Sequence, residues 1–226
     1  MPAALKILAL FVFLYVFIFI LSPLIPALRH YWWVIFIVGV LIFIIFKDKF
    51  KALEDSIYKF RKGQRGEDSV VNALTQFLGD EYIYIPNYII PNSRIGDMDG
   101  LIIGPKGVII LEIKNWEGIF RISGRDVYRR LRADIYKLYR KNPFVQVYRC
   151  NESLRKLLAY KGMNTRVIPV VVLVSGKISA ITGKTEIYIT EVEKLVNYIL
   201  GLPPISNFSE SLRQDILTDL GIISYS

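Results

Sequence analysis

One cysteine, Cys150, and one histidine, His30, are all that the 226 residues contain of either type. A disulfide framework, a Cys/His zinc site and a histidine-based catalytic triad are therefore excluded within the chain. Any chemistry has to run on carboxylates, lysine or a metal. A lone thiol suits a reducing compartment, and Cys150 reads as a small buried hydrophobe. Acidic residues are also short, 20 against 29 Lys and Arg, which leaves a net charge of +9. The excess is concentrated. Between Arg121 and Arg166 stand thirteen basic residues and only Asp126, Asp134 and Glu152 on the acidic side. A solvated face explains such a block in the plain case, but its size predicts an anionic partner, nucleic acid or phospholipid headgroups.

Hydrophobic residues make up 53% of the chain, and the surplus lies before Phe46. From Ile7 to Leu28 the run is apolar except for Ser22. As a helix it is about 33 Å long at 1.5 Å per residue, enough to cross a bilayer core. Pro23 and Pro26 end or kink it, Arg29 and His30 interrupt it, and a second apolar run follows from Tyr31 to Phe46, opened by three aromatics suited to a membrane interface. Residues 1–46 thus predict a transmembrane helical hairpin held by membrane lipid. The shorter second run leaves open a hairpin that dips into one leaflet. A signal peptide is the other alternative, weakened by the absence of a small-x-small cleavage site. The basic cluster Lys47, Lys49, Lys51, Lys59, Arg61, Lys62 and Arg65 makes 47–62 a juxtamembrane linker. By the positive-inside rule it predicts a multi-pass protein of the cell membrane with its C-terminal domain, 63–226, in the cytoplasm.

Within that domain the spacing of Val70, Val71, Leu74, Phe77 and Leu78 predicts an amphipathic helix over Gln64–Leu78. Glu67 lies one turn ahead of the stripe, where the helix dipole alone would favour a carboxylate. Short strands follow at Tyr82–Ile85 and Tyr88–Ile90, or one strand broken at Pro86. Two hairpins come next, Met98–Ile103 with Val108–Lys114, then Ile119–Ile122 with Val127–Leu131. Asn142 and Pro143 open a helix carrying Phe144, Val147, Leu154, Leu157 and Leu158. Val167–Val174 and Glu186–Thr190 read as strands, and Thr190–Leu200 and Ser209–Leu220 as helices. The pattern is mixed α/β around one sheet.

The first hairpin has a derivable register. A turn centred on Pro105-Lys106 sets Ile103 against Val108, Leu101 against Ile110 and Asp99 against Glu112. Alternation puts Lys114 on the face of Glu112. Opposed like charges destabilise a sheet, so the pair requires a compensating cation. Lys114 by itself at a solvated edge is one solution. A divalent metal is the other: Asp99, Glu112 and the Ile113 carbonyl are hard oxygen ligands suited to Mg²⁺, with Lys114 beside the attacking water.

Five segments carry a resemblance: Gly66-Glu67, Met98-Asp99-Gly100, Gly107-Val108-Ile109-Ile110, Glu112-Ile113-Lys114-Asn115-Trp116-Glu117-Gly118, and Asn142-Pro143-Phe144-Val145-Gln146. In this order they resemble the nuclease-related domain, or NERD, family, a branch of the PD-(D/E)XK fold. The resemblance implies a restriction-endonuclease-like mixed central sheet flanked by helices. It also implies a phosphodiesterase using Mg²⁺ or Mn²⁺ and a catalytic set of Glu67, Asp99, Glu112, Lys114 and Gln146. The metal would be held by Asp99, Glu112 and Ile113, with Glu67 reaching it directly or through water. Glycine at position 100 departs from the family's usual histidine, and Asp97 is a spare carboxylate on the strand face of Asp99.

The basic block supplies Arg121, Arg125, Arg129, Arg130, Arg132, Lys137, Arg140 and Lys141 as candidate phosphate contacts, with tyrosines interspersed that suit base stacking. The combined expectation is a membrane-anchored, metal-dependent nuclease acting on nucleic acid, DNA ahead of RNA. Two alternatives remain: a tethered DNA- or RNA-binding module with a dormant site, and a domain whose basic face meets anionic lipid.

Overall fold

The structure, a computed structural model, describes residues 12, 13, 15, 16, 20, 26–91, 93, 95–206 and 208–223. The chain divides into two compact units, 1–62 and 63–226. Most of the first apolar run, and with it the N-terminal half of the expected hairpin, lies outside the described residues. The second run belongs to a helix, α1 (Pro26–Phe77), which does not stop at Phe46. The expected linker 47–62 is helical because it holds no glycine or proline and is rich in Lys, a good helix former, with Ala52, Leu53, Glu54 and Arg61 adding to it. Among the described residues no helix is long and apolar enough to cross a membrane. In the first unit Ile37, Val38, Leu41, Ile44, Ile45 and Phe46 are exposed.

The second unit contains two mixed sheets rather than the single one expected. Strands β1 (Ile83–Ile89), β2 (Asp97–Gly104), β3 (Gly107–Lys114), β7 (Val167–Leu173) and β9 (Tyr188–Glu191) form the first, in the order β1-β2-β3-β7-β9. Strands β4 (Gly118–Ser123), β5 (Asp126–Arg132), β6 (Ile135–Leu138) and β8 (Gly176–Thr182) form the second, in the order β6-β5-β4-β8. The parallel neighbours β3 and β7 leave the first sheet together and continue as the parallel neighbours β4 and β8. Glycines mark both crossings. Gly118 takes φ 116°, and a Cβ at Gly176 would stand 2.9 Å from the Phe120 ring. Strands β6 and β8 escaped the sequence reading because β6 has only four residues, none of them buried, and β8 alternates in burial but puts Ile181 on its exposed side, which breaks the apolar pattern.

β1 is one strand through Pro86. It is an edge strand, where a missing N–H is tolerated, and Asn87 follows in the left-handed region at φ 49°. Pro169 sits inside β7 for a related reason. Val108 N–H binds the Arg166 carbonyl, so alternation turns Pro169 away from β3, and the β9 ladder begins only at Val170.

Two apolar clusters sandwich the first sheet. On one face Val70 and Leu74 of α1 and Leu195, Val196 and Ile199 of α3 (Val192–Gly201) cover Ile102, Ile109, Leu111 and Ile113. On the other, α2 (Phe144–Tyr160) contributes Phe144, Val147, Cys150 and Leu154, and α4 (Glu210–Asp219) adds Ile216 and Leu217. Phe120, Ile122 and Val127 join this face from the second sheet. Helix α2 begins at Phe144, one residue later than expected, with Asn142 Oδ1 accepting the Phe144 N–H at 2.9 Å. Ser209 caps α4 by accepting the Leu212 N–H at 3.1 Å.

Candidate active site

The β2–β3 ladder pairs Gly104 with Gly107, Ile103 with Val108, Leu101 with Ile110 and Gly100 with Leu111, and stops there. One step further this register opposes Asp99 and Glu112. Both share the sheet face of Leu101, Ile103, Val108 and Ile110, the face covered by α2. Ile113, whose N–H would continue the ladder, instead donates to Asp99 Oδ2 at 2.6 Å. The two strands therefore part at the carboxylate pair, and the side chain of Asp99 takes over a backbone position.

Lys114 lies between the acids. Its Nζ is 3.6 Å from Asp99 Oδ2 and forms an ion pair with Glu112 Oε1. This is not a solvated edge: Glu112 is 1% exposed, and among the described residues the Lys114 ammonium is the one cation that reaches its carboxylate. Burial, followed by the charge of Asp99, pushes the Glu112 carboxyl up to about 7 despite the ammonium beside it. For Lys114, burial works against the charged form, but Glu112 and then Asp99 outweigh it and raise its pKa.

Glu67 reaches this end of the sheet from the opposite face. It sits deep inside α1, far from either helix end, so the dipole explanation for it does not hold. Burial raises its pKa, and Asp99, Asp68 and Asp97 add to the effect while Lys114 opposes it. Gly66 lets α1 approach this end of β3: a Cβ there would be 3.0 Å from Asn115 Cβ. Gln146 is half-buried in the first turn of α2, and among the described residues no hydrogen bond joins it to the acids. One turn on, burial raises the Cys150 thiol to about 11, with the charges of Glu112, Asp97 and Asp99 adding to the shift. That thiol stays protonated, a packing group.

Among the described residues no group of three or more His, Cys, Asp or Glu side chains is disposed to hold a metal ion. Glu67, Asp99 and Glu112 do not form one ligand cluster. The two strand carboxylates lie on the face covered by α2, whereas Glu67 comes from α1 on the other face. The pair alone nonetheless fits a divalent cation, because two carboxylates share one ammonium as their counter-charge and Mg²⁺ commonly binds through one or two carboxylates. In a strand the C=O points the same way as the N–H, so the Ile113 carbonyl lies on the edge of β3 that faces Asp99.

The eight candidate phosphate contacts are all exposed but do not share one face. Arg121 pairs with Tyr128 and Arg130 with Tyr136, and the Arg121 guanidinium lies 4.1 Å from the Tyr136 ring centre. Arg129 and Lys137 pair with each other on the other face, that of Phe120. Arg129 also borders Gly118, where a Cβ would be 3.2 Å from its Nε. Strand alternation divides a block that is continuous in sequence. Arg125 lies 3.3 Å from Glu186 and 4.9 Å from the Tyr148 ring centre. Arg132 follows a register shift in β5, and Arg140 and Lys141 precede α2.

Sequence reasoning missed Tyr84. Its hydroxyl donates to the Asp99 carbonyl at 3.3 Å, and burial, then Glu67 and Asp99, raises it to about 12. The available signal was Gly100, since a glycine inside a strand often marks a close approach.

The model of the nuclease-related domain family matches residues 62–174, a span of half the chain that holds Glu67, Tyr84, Asp99, Glu112, Lys114 and Gln146. No curated protein and no solved structure matches the chain.

Proposed function

Because the chain belongs to the nuclease-related domain family, we propose that it is a membrane-anchored nuclease that hydrolyses nucleic-acid phosphodiesters on the cytoplasmic side with Mg²⁺ or Mn²⁺. The observation that carries this reading is the opposed Asp99–Glu112 pair with Lys114 between them, at the point where β2 and β3 separate. Asp99, Glu112 and the Ile113 carbonyl would hold the cation. When bound, the cation activates the attacking water and neutralises charge developing on the phosphate. Lys114, held protonated by the two acids, is a charge stabiliser and hydrogen-bond donor rather than a base. Glu67, which reaches the same end of the sheet from α1 and feels the charges of Asp99 and Lys114, is our candidate for orienting the attacking water.

Anchoring is supported by the two apolar runs before Phe46 and by the exposed apolar side chains of α1. The cytoplasmic side follows from the basic cluster after Phe46. Arg129 and Lys137 are the preferred phosphate contacts, because Arg129 borders the segment that leaves β3. DNA is the preferred substrate over RNA. A second reading, a dormant nucleic-acid-binding module, draws on the same pairing, since Lys114 already balances both acids.

The test uses the full chain in detergent, incubated with DNA and RNA substrates in Mg²⁺, Mn²⁺ or EDTA. Metal-dependent cleavage supports the enzyme. Binding without cleavage or metal uptake leaves the dormant module.

A further inference from the structure

Position 100 is bare because Tyr84 fills its space. In the β1–β2 ladder Tyr84 pairs with Ile102 and Pro86 with Gly100, so the Tyr84 ring stands diagonal to Gly100 on the α1 face. A Cβ on Gly100 would lie 2.6 Å from Tyr84 Cε2 and 2.9 Å from its hydroxyl oxygen, inside van der Waals contact. The same hydroxyl donates to the Asp99 carbonyl at 3.3 Å. From the other side, the β3 ladder holds β2 only as far as Gly100. Beyond it, Asp99 is tied to β3 through its own carboxylate on the Ile113 N–H. If Asp99 held a cation through its carboxylate, that bond would weaken, and the Asp99 backbone would be held chiefly from its β1 side.

We propose that Tyr84 is a positioning residue of this site, fixing the Asp99 backbone through its hydroxyl while its ring keeps the space over Gly100 closed. The inference rests on the nuclease reading above. Burial and the charges of Glu67 and Asp99 keep the phenol protonated, so it remains a donor throughout the neutral range.

The experiment compares the full-length wild type with Tyr84→Phe, which keeps the ring and removes the hydroxyl. Melting temperature, Mn²⁺ affinity by calorimetry, and kcat and KM for cleavage are measured on both. A positioning role predicts an unchanged melting temperature and KM, with kcat down roughly tenfold and Mn²⁺ affinity reduced several-fold. A role in filling space alone predicts no change in any of the four. Tyr84→Ala serves as the second variant, since it opens the space over Gly100: adding Gly100→Ala should then be tolerated, although Gly100→Ala alone should lower the melting temperature. An active wild type with an unaffected Tyr84→Phe overturns this inference and leaves the nuclease reading standing. A wild type that neither cleaves nor binds Mn²⁺ overturns that reading and this inference with it.

Discussion

Replacing Glu112 by glutamine should destroy the activity and stabilise the fold. The carboxyl is 1% exposed, and its pKa stands at about 7 against an ordinary 4.5. At about 1.4 kcal/mol per pH unit, ionised Glu112 costs the folded state roughly 3 kcal/mol. The sign follows from the direction of the shift. A carboxyl whose folded pKa is raised favours folding most below its unfolded pKa, and that contribution is lost as pH rises from about 4.5 through about 7. Glutamine has the shape of the protonated acid and does not titrate. In EDTA, wild type and Glu112→Gln should therefore melt together near pH 4.5 and diverge above it. At pH 8 the variant should melt higher by about 6–12 °C, taking roughly 2–4 °C per kcal/mol for a domain of this size. Mg²⁺ should then narrow the gap by stabilising the wild type alone, by about 2.7 kcal/mol at a hundredfold excess over the dissociation constant. Thermal melts across pH 4.5–8 read all of this. A variant no more stable than wild type at pH 8, or a gap that persists unchanged at pH 4.5, refutes the account of Glu112 as a strained buried anion.

Lys114→Ala should lower cleavage about a hundredfold or more while Mn²⁺ binding persists, because it removes a stabilising charge and leaves the oxygen ligands in place; single-turnover rates and calorimetry check this. The same change should push the Glu112 pKa above its present value of about 7, measurable by carboxyl NMR titration, because the ammonium now holds it down. Arg129→Ala with Lys137→Ala should weaken duplex binding and reduce its salt slope by about 1.8, whereas Arg121→Ala with Arg130→Ala should leave the slope near that of wild type. Equal effects from the two pairs in filter-binding titrations would refute the division by faces. A reporter fused after residue 46 should stay with the membrane, and one at the C-terminus should be accessible only from the cytoplasm.

The hairpin register, and with it the meeting of Asp99 and Glu112, was legible in the sequence because a two-residue turn and strict alternation leave one pairing that buries Leu101, Ile103, Val108 and Ile110 together. The start of α2 was legible for a similar reason, since Asn142 and Pro143 act within a few residues of themselves. Local rules of this kind act through covalent spacing, and spacing is what a sequence records. The second sheet was not legible. It forms because β4 and β8, more than fifty residues apart, leave the first sheet side by side, and neither strand's own pattern announces that partner. The sequence already offered Lys114 as the cation between the two acids, but only the folded chain decided that one of them would be almost wholly buried rather than at a solvated edge, and that alternation would send Arg121 and Arg129 to opposite faces. Tyr84 makes the same point at one residue. The sequence displays a glycine at position 100, but the aromatic ring that requires it comes from β1, and a pKa or a steric contact depends on neighbours brought together through space.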